Sequence, residues 1–268
     1  MHRKPYLALA LAATLLPLFA VAHAQTVDEV LAKHFEAQGG IEKLKAVQSM
    51  RMTGKMTIGP GMEAPFVVEK KRPGKTRTDF TIQGMTGSQV FDGKGGWSFM
   101  PFMGQPNPEA MSADEAKEMA DEADFDGPLM DWKAKGHTVE LAGKEPIEGA
   151  DAIKLKLTKK DGKVTWYYLD AETYLIVKQE GKRTMRGTEI DGESYPSDYK
   201  DVNGLLMPFS MTQGMKGSDR KQTMTIDKIE VNVAIDDARF VMPAAPDSAK
   251  PAPPKSATTT KAAPKKSK

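Results

Sequence analysis

The chain has 268 residues and no cysteine, which excludes a disulfide framework, a thiolate metal site and a cysteine nucleophile. Lys and Arg number 38 and Asp and Glu number 36, so the total charge is nearly balanced. Residues 244–268 carry several lysines and a single acid, Asp247, which leaves residues 25–243 net acidic. A net acidic domain argues against a nucleic-acid-binding function.

The first 24 residues have the pattern of a cleavable secretory signal. Arg3 and Lys4 precede an apolar run over residues 6–22, and Ala22-His23-Ala24 places small residues one and three positions before Gln25. A proline near the centre of the run favours cleavage over a membrane anchor. We predict export to the periplasm with cleavage before Gln25, and a mature chain with neither a transmembrane segment nor a lipid-bearing cysteine.

A helix is predicted at the start of the mature chain. Thr26 lies three residues before Glu29, which is the spacing of a capping box, and apolar residues then recur at helical spacing. Gly39-Gly40 ends this pattern, and a short turn is expected to follow. His34 falls on the apolar face of the helix and is interpreted as a packed side chain.

After Val47 the hydrophobic period changes to two, which is typical of half-buried strands. Asp161-Gly162 and Asp191-Gly192 are strong hairpin signals between such runs. Short turns connect antiparallel neighbours, so the pattern predicts an antiparallel meander. The predicted strands are residues 50–58, 66–71, 76–83, 87–91, 96–100, 137–142, 152–159, 164–170, 174–180, 185–190, 194–202, 207–213 and 222–233.

Residues 106–136 interrupt the meander and are predicted to be helical. Ser112 and Glu115 form a second capping box, and the sequence to Ala123 is rich in helix formers. A second short helix is expected after Gly127-Pro128. This stretch is strongly acidic, and we interpret its acids as a solvated helix face, with a docking surface for a basic partner as the alternative.

Catalytic patterns are missing from the sequence. The mature chain keeps two histidines, His34 and His137, at no metal-binding spacing, and its carboxylates stand in no recognisable catalytic frame. Neither a phosphate loop, a calcium loop nor a nucleophile elbow is present. We therefore predict a protein that is not an enzyme and that has no catalytic residue, metal or cofactor.

Methionine is unusually frequent, at 17 residues, and it clusters on the predicted strands. Its flexible, polarizable side chain suits surfaces that accept apolar ligands of variable shape. Each methionine alone is better explained as core filling, whereas the set, together with nearby aromatic residues, favours a deformable apolar cavity equally well. The cavity candidates are Met50, Met52, Met56, Phe66, Phe80, Trp97, Phe99, Phe102, Met207, Phe209 and Met211.

Three short motifs carry a family resemblance: a strand ending in Lys71-Arg72-Pro73, then Asp92-Gly93-Lys94, then the aromatic strand Trp97-Ser98-Phe99-Met100-Pro101. With the order of predicted elements, they make residues 25–243 resemble the periplasmic lipoprotein-sorting carriers, the LolA-like proteins. The resemblance implies a mainly β (α+β) fold, in which a curved antiparallel sheet forms an incomplete β-barrel. An N-terminal helix and an inserted helical lid would cover it.

The resemblance also implies a function and a set of closing residues. Arg72 matches the family arginine that hydrogen-bonds toward the lid and helps to hold the cavity closed, and the implied lid and closure residues are Arg72, Met119, Leu129, Met130 and Trp132. The ligand would be the acyl chains of lipoproteins or lipids, received from an inner-membrane donor and passed to an outer-membrane acceptor. The chain departs from the best-known carriers in its longer second half and its basic tail, so another apolar ligand stays open.

Three segments are therefore expected: a signal peptide over residues 1–24, a carrier domain over 25–243, and a disordered tail rich in Lys, Pro and Ala over 244–268. A second hypothesis is a structural or interaction module of the cell envelope. In that case the sheet would have a solid core, and the acidic helix or the basic tail would contact an envelope component.

Overall fold

The computed structural model describes residues 25–185 and 188–243, so the predicted signal peptide and tail lie outside the described residues. The helices are α1 (Val27–Ala37), α2 (Ile41–Ala46) and α3 (Ala113–Ala123), with short 3-10 helices at Pro101–Met103 and Asp237–Phe240. The strands are β1 (Ser49–Gly59), β2 (Met62–Lys71), β3 (Lys75–Ile82), β4 (Met85–Phe91), β5 (Gly96–Phe99), β6 (Glu109–Ala110), β7 (Thr138–Ile147), β8 (Ala150–Thr158), β9 (Val164–Asp170), β10 (Ile176–Met185), β11 (Thr188–Val202), β12 (Leu205–Met215) and β13 (Lys221–Val231).

All 13 strands belong to one sheet, in the order β6-β5-β4-β3-β2-β1-β13-β12-β11-β10-β9-β8-β7. Every neighbour in this order is also a neighbour along the chain, except that β1 pairs with β13. Strands β6 and β7 stand at opposite edges, so the sheet is not closed within the described residues. The predicted mainly-β fold, with an open antiparallel sheet and few helices, is confirmed.

Side-chain alternation divides the sheet into two faces that carry different cover. Phe91 packs against α3, whereas its neighbour Val90 packs against Phe240 of the C-terminal 3-10 helix. We call the face that carries α1 and α3 the helical face, and the face that carries Phe240 the opposite face. Strand register then assigns each side chain of the sheet to one of the two.

Helix α1 is fixed on the helical face by a buried core. Its Val30 and Leu31 pack against Leu155 and Leu169 of β8 and β9, and burial of each such side chain stabilises the fold by about 1.5–3 kcal/mol. The predicted capping box is present, since Thr26 Oγ1 accepts from the Glu29 amide and the Glu29 carboxylate accepts from the Thr26 amide.

His34 is packed within this core, as predicted. It is 2% exposed, and its Nδ1 lies 2.8 Å from the carbonyl oxygen of Tyr174. Burial lowers the pKa of His34 despite this hydrogen bond, because the interior disfavours the charged imidazolium.

The hairpin predicted at Asp191-Gly192 is wrong. Both residues lie within the continuous strand β11, where they pair with Lys182 and Gly181 of β10. The separate strand predicted over 185–190 is therefore the end of β10 and the start of β11. The Asp161-Gly162 turn is confirmed between β8 and β9, where Gly162 has a φ of 87°.

The second helix predicted after Gly127-Pro128 is also wrong, because the chain there forms successive turns. Gly127 and Asp131 have φ values of 66° and 53°, which a right-handed helix does not accommodate. We call residues 124–136 the turn segment. The turn expected after Gly40 is instead the short helix α2.

Candidate ligand-binding site

Several of the predicted cavity residues lie together at the centre of the helical face. Met50 and Met52 of β1 and Met207 and Phe209 of β12 flank β13, and they pack with side chains from β11 and β13. Phe209 is buried, whereas the three methionines keep partial exposure. Partly exposed methionines can rearrange around an apolar ligand because their side chains have several rotatable bonds.

The same face continues as a methionine row toward one end of the sheet. Met224 of β13 pairs in register with Met56 of β1 on one side and with Met211 of β12 on the other. The apolar strip is the set Met50, Met52, Met56, Val202, Met207, Phe209, Met211, Met224, Ile226, Ile229 and Val231. The strip was predicted in part, since its members from β11 and β13 were not among the cavity candidates.

An aromatic group stands beside the strip. Phe66 and Phe80 pair across β2 and β3, and the rings of Phe80 and Phe102 have centroids 5.6 Å apart. Gly54 lies opposite Phe66, and a Cβ there would come within 2.9 Å of the Phe66 ring. The missing side chain at Gly54 therefore lets the ring lie over β1.

Trp97 and Phe99 lie on the opposite face, away from the apolar strip. Trp97 pairs with Val90, packs with Phe240, and donates its indole N–H to the Phe240 carbonyl at 3.1 Å. Phe99 packs against the same group and lines a cavity of about 560 Å³ with Arg77 and Arg239. We therefore leave Trp97 and Phe99 out of the site on the helical face.

Helix α3 packs on the helical face through a small apolar surface. Its start has the predicted capping box between Ser112 and Glu115. Met119 and Ala123 are buried against Phe91 of β4. This contact attaches α3 to the half of the sheet that contains β1–β6.

Polar contacts attach α3 at both sides of the site. Lys70 of β2 donates to the Glu122 carbonyl at 2.6 Å. Two ion pairs join α3 to the turn between β8 and β9. Lys117 Nζ of α3 lies 3.1 Å from Asp161 Oδ2 of the turn, and Asp121 Oδ2 of α3 lies 2.9 Å from Lys159 Nζ of the turn. Helix α3 thus bridges the two halves of the sheet.

The turn segment is held by Arg72. The guanidinium binds both carboxylate oxygens of Asp126, donates Nε to the Val47 carbonyl at 2.7 Å, and lies 4.7 Å from the centre of the Phe125 ring. The hydrogen bonds from Arg72 hold the pKa of Asp126 below its usual range. Arg72 therefore connects the end of β2, the chain before β1 and the segment that follows α3.

Apart from Met119, which packs under α3 against Phe91, the remaining predicted lid residues lie in the turn segment. Leu129 and Trp132 join the core beneath α1 rather than the apolar strip, and Met130 is 2% exposed. The acids of this region were expected to be solvated, but two of them form ion pairs. Asp131 Oδ2 lies 2.8 Å from Lys45 Nζ, and Asp126 pairs with Arg72.

Two cavities adjoin each other on the helical face. One, of about 460 Å³, lies between α3 and strands β9 and β10, and the other, of about 860 Å³, lies where the β1–β2 and β12–β13 turns meet. Arg183 and Gln213 line both. Ligand sites of drug-sized molecules occupy about 300–1,000 Å³. Desolvation raises the pKa of Glu122, which lines the smaller cavity, and lowers the pKa of Lys70 of β2.

Neither histidine of the described chain is placed for acid–base chemistry on the helical face. His34 is packed beneath α1, and His137 Nδ1 accepts from the Lys160 amide at 3.1 Å. Within residues 25–185 and 188–243, no three acids or histidines are grouped so as to hold a metal ion. Helices of those residues are all too short or too polar to cross a membrane.

No family model matches the chain, and no curated protein matches it. A LolA superfamily protein from Nitrosomonas europaea shares the fold with a TM-score of 0.54 at 15% identity, over 81% of this chain and 98% of its own. A DUF1329 family protein from Desulfovibrio piger has a TM-score of 0.54 at 14% sequence identity, over 79% of this chain and 97% of its own. A domain from Vibrio parahaemolyticus that is named for outer membrane lipoprotein sorting has a TM-score of 0.53 at 13% sequence identity, over 79% of this chain and 94% of its own.

These structures establish the fold class. The open antiparallel sheet with an N-terminal helix and an inserted helix is the LolA-like fold, and the resemblance seen in the sequence motifs is confirmed at this level. Sequence identities of 13–15% establish a shared fold, and they assign no role to any residue of this chain.

Proposed function

We propose that the chain is a non-enzymatic carrier that binds acyl chains of lipoproteins or lipids along the apolar strip, beneath α3. The observation that carries this proposal is the strip itself: a continuous row of methionines and branched side chains on the covered face of an open sheet, left partly exposed. Partly exposed apolar rows of this kind mark binding sites in monomeric proteins.

The energetics favour such a ligand. Each methylene transferred from water to the strip contributes about 0.8 kcal/mol, so a chain of ordinary length supplies several kcal/mol. The flexible methionines accept chains of different length and saturation at small cost. Loss of α3 contacts would offset part of this gain, and that offset is what makes release possible.

Helix α3 is suited to the role of a movable cover. Its apolar contact with Phe91 is small, and its bonds to Lys70, Asp161 and Lys159 are polar, so water can replace them when the helix moves. The turn segment, held by Arg72 and the core beneath α1, would remain in place as the hinge.

The proposed carrier acts in the periplasm, between an inner-membrane donor and an outer-membrane acceptor. The predicted signal peptide over residues 1–24 supports export of the domain over residues 25–243. Lipoprotein sorting and lipid transport both fit this scheme.

A substitution at the centre of the strip tests the proposal. Met52→Arg places a charge among apolar side chains, so we expect binding of a fluorescent fatty-acid probe to fall by at least tenfold. Thr53→Arg is the matched control, because Thr53 lies next in sequence and points to the opposite face, beside Lys228.

Circular dichroism and thermal unfolding establish that both variants are folded. Loss of probe binding in Met52→Arg alone supports the strip as the site. Equal binding by the two folded variants, or absence of binding by the unaltered protein, would refute the proposed function.

A further inference from the structure

The larger cavity of the helical face has an unusual lining. It lies at the end of the sheet where the β1–β2 and β12–β13 turns meet, which we call the hairpin end. Apolar groups, among them Ile58, Pro60, Ile190 and Met215, line it together with Arg183 and Arg220. An apolar cavity that also presents guanidinium groups has the character needed for an anionic amphiphile.

The two arginines differ from the other arginines of the described chain. Arg51, Arg72, Arg77 and Arg239 each lie within 3.1 Å of a carboxylate oxygen. No carboxylate of the described residues lies within 4.0 Å of Arg183 or Arg220.

The neighbouring acids of the described chain form no ion pair with these guanidiniums, although Glu122 of α3 attracts Arg183 electrostatically from the adjoining cavity. Asp219 also lines the cavity without pairing with either arginine, and Lys221 pairs instead with Glu193 of the opposite face at 3.1 Å. Guanidinium groups bind phosphate and carboxylate with two parallel hydrogen bonds, which a neutral ligand cannot reproduce.

Arg183 is held in position over the sheet. Its Nη1 donates to Gln213 Oε1 at 3.0 Å. A Cβ at Gly192 would lie 2.9 Å from Arg183 Cδ, so the absent side chain of Gly192 lets the arginine lie across β11. Gly192, which does not lie in a turn, thus has a packing role beside this cavity.

Exposed methionines surround the same end of the sheet. Met62 begins β2, Met85 begins β4 and Met215 ends β12, and all three are among the exposed large apolar side chains. From the hairpin end the Met56, Met224 and Met211 row leads into the apolar strip.

We propose that the hairpin-end cavity binds the anionic head group of an amphiphile, a phosphate or a carboxylate, through Arg183 and Arg220, while the acyl chain extends along the apolar strip. This inference rests on the proposed function and adds a ligand class to it: the bound lipid has an anionic head group rather than a neutral one.

Titration with matched dodecyl amphiphiles tests the assignment. Dodecyl phosphate, dodecanoate, dodecyl maltoside and dodecyltrimethylammonium are compared by calorimetry below their micelle concentrations, with inorganic phosphate as the head group alone. We expect one or both anionic probes to bind about tenfold more tightly than the maltoside. The better of the two anions identifies a phosphate or a carboxylate head group.

Charge-removing variants complete the test. Arg183→Gln with Arg220→Gln should abolish the preference for anions while maltoside binding is retained. Lys228→Gln is the control, because it removes one positive charge from the opposite face, where Lys228 pairs with Glu230. The preference should persist in this control.

The outcomes separate the two proposals. Equal affinity for all head groups, or an anion preference that survives the double variant, would overturn the head-group site and leave the carrier function standing. Competition by inorganic phosphate as strong as that of dodecyl phosphate would show that the chain adds no affinity, and would overturn the inference that head group and chain bind as one ligand. Failure of every amphiphile to bind would overturn both.

Discussion

Arg72 connects three parts of the chain through one side chain, so its replacement should lower the stability of the fold. In Arg72→Leu, the Val47 carbonyl and the Asp126 carboxylate lose their donors, so we expect the free energy of unfolding to fall by about 1–3 kcal/mol. Arg72→Lys should restore only part of the lost free energy of unfolding, because an ammonium group cannot bind both carboxylate oxygens with two parallel hydrogen bonds. Urea unfolding measures both.

Lys55→Leu is the comparison for this prediction. Lys55 and Glu63 form an ion pair 3.3 Å apart with side chains 54% and 57% exposed, and such pairs contribute about 1 kcal/mol or less. If Arg72→Leu were no more destabilising than Lys55→Leu, the assigned role of Arg72 would be wrong.

Glu180, on the opposite face, gives the fold a dependence on pH. Burial alone would raise the pKa of Glu180, but hydrogen bonds from Lys178 at 2.6 Å and Lys216 at 2.8 Å outweigh it and lower the pKa to about 2. Because the folded pKa lies below the ordinary value of 4.5, the stabilisation is complete above that value. It is lost as the pH falls toward about 2.

Thermal unfolding across the acid range tests this sign. Glu180→Gln should lower the melting temperature at neutral pH and flatten its fall between pH 4.5 and about 2. Glu189→Gln removes an exposed carboxylate paired with Lys182 and should leave that slope unchanged. A slope that is identical in all three proteins would contradict the assignment.

Sequence patterns predicted the position of a single residue correctly where one face or one local contact determines that position. His34 follows from helical spacing alone, and Met50 and Met52 follow from alternation. Alternation also places Trp97 and Phe99 on a common face, but it does not say which, because both faces of this sheet carry apolar cover. Their position became known only from the packing of Phe240.

At the scale of elements, α3 is the part whose motion the proposed function requires. The chain contains no cysteine, so Lys117→Cys with Asp161→Cys creates a unique thiol pair at the contact between α3 and the β8–β9 turn. A short bifunctional thiol reagent that joins them should abolish fatty-acid probe uptake, because the helix can no longer leave the strip. Fluorescence titration of the cross-linked protein measures this.

The two single-cysteine variants, treated with the same reagent, are the control and should bind the probe normally. Unchanged uptake by the cross-linked protein would show that α3 does not need to move for the ligand to enter.

Elements determined by local chemistry were predicted well, and elements determined by distant pairing were not. The capping boxes at Thr26 and Ser112 start α1 and α3 as expected. Asp191-Gly192 has the composition of a hairpin turn, yet its pairing with β10 holds it inside a strand. In β13, a register shift opposite Thr53 and Gly54 changes the alternation between Ile226 and Ile229, which concealed this strand's share of the apolar strip.

For the whole molecule, the pairing of β1 with β13 is the feature that the sequence alone conceals. It joins the first and last strands of the chain and brings Met50 and Met52 beside Ile229 and Val231. Contacts so distant in sequence leave no local signal, whereas the family motifs near Arg72 indicated the fold as a unit. The strip exists only because these two halves meet.

The most direct measurement of the central claim is photolabelling with a diazirine-bearing fatty acid, followed by peptide mass spectrometry. The account predicts labels on β1, β12 and β13 at residues of the apolar strip, such as Met52, Met207 and Phe209, and competition by unlabelled fatty acid. Labels concentrated around Trp97 and Phe99 on the opposite face, or no competable label, would contradict it.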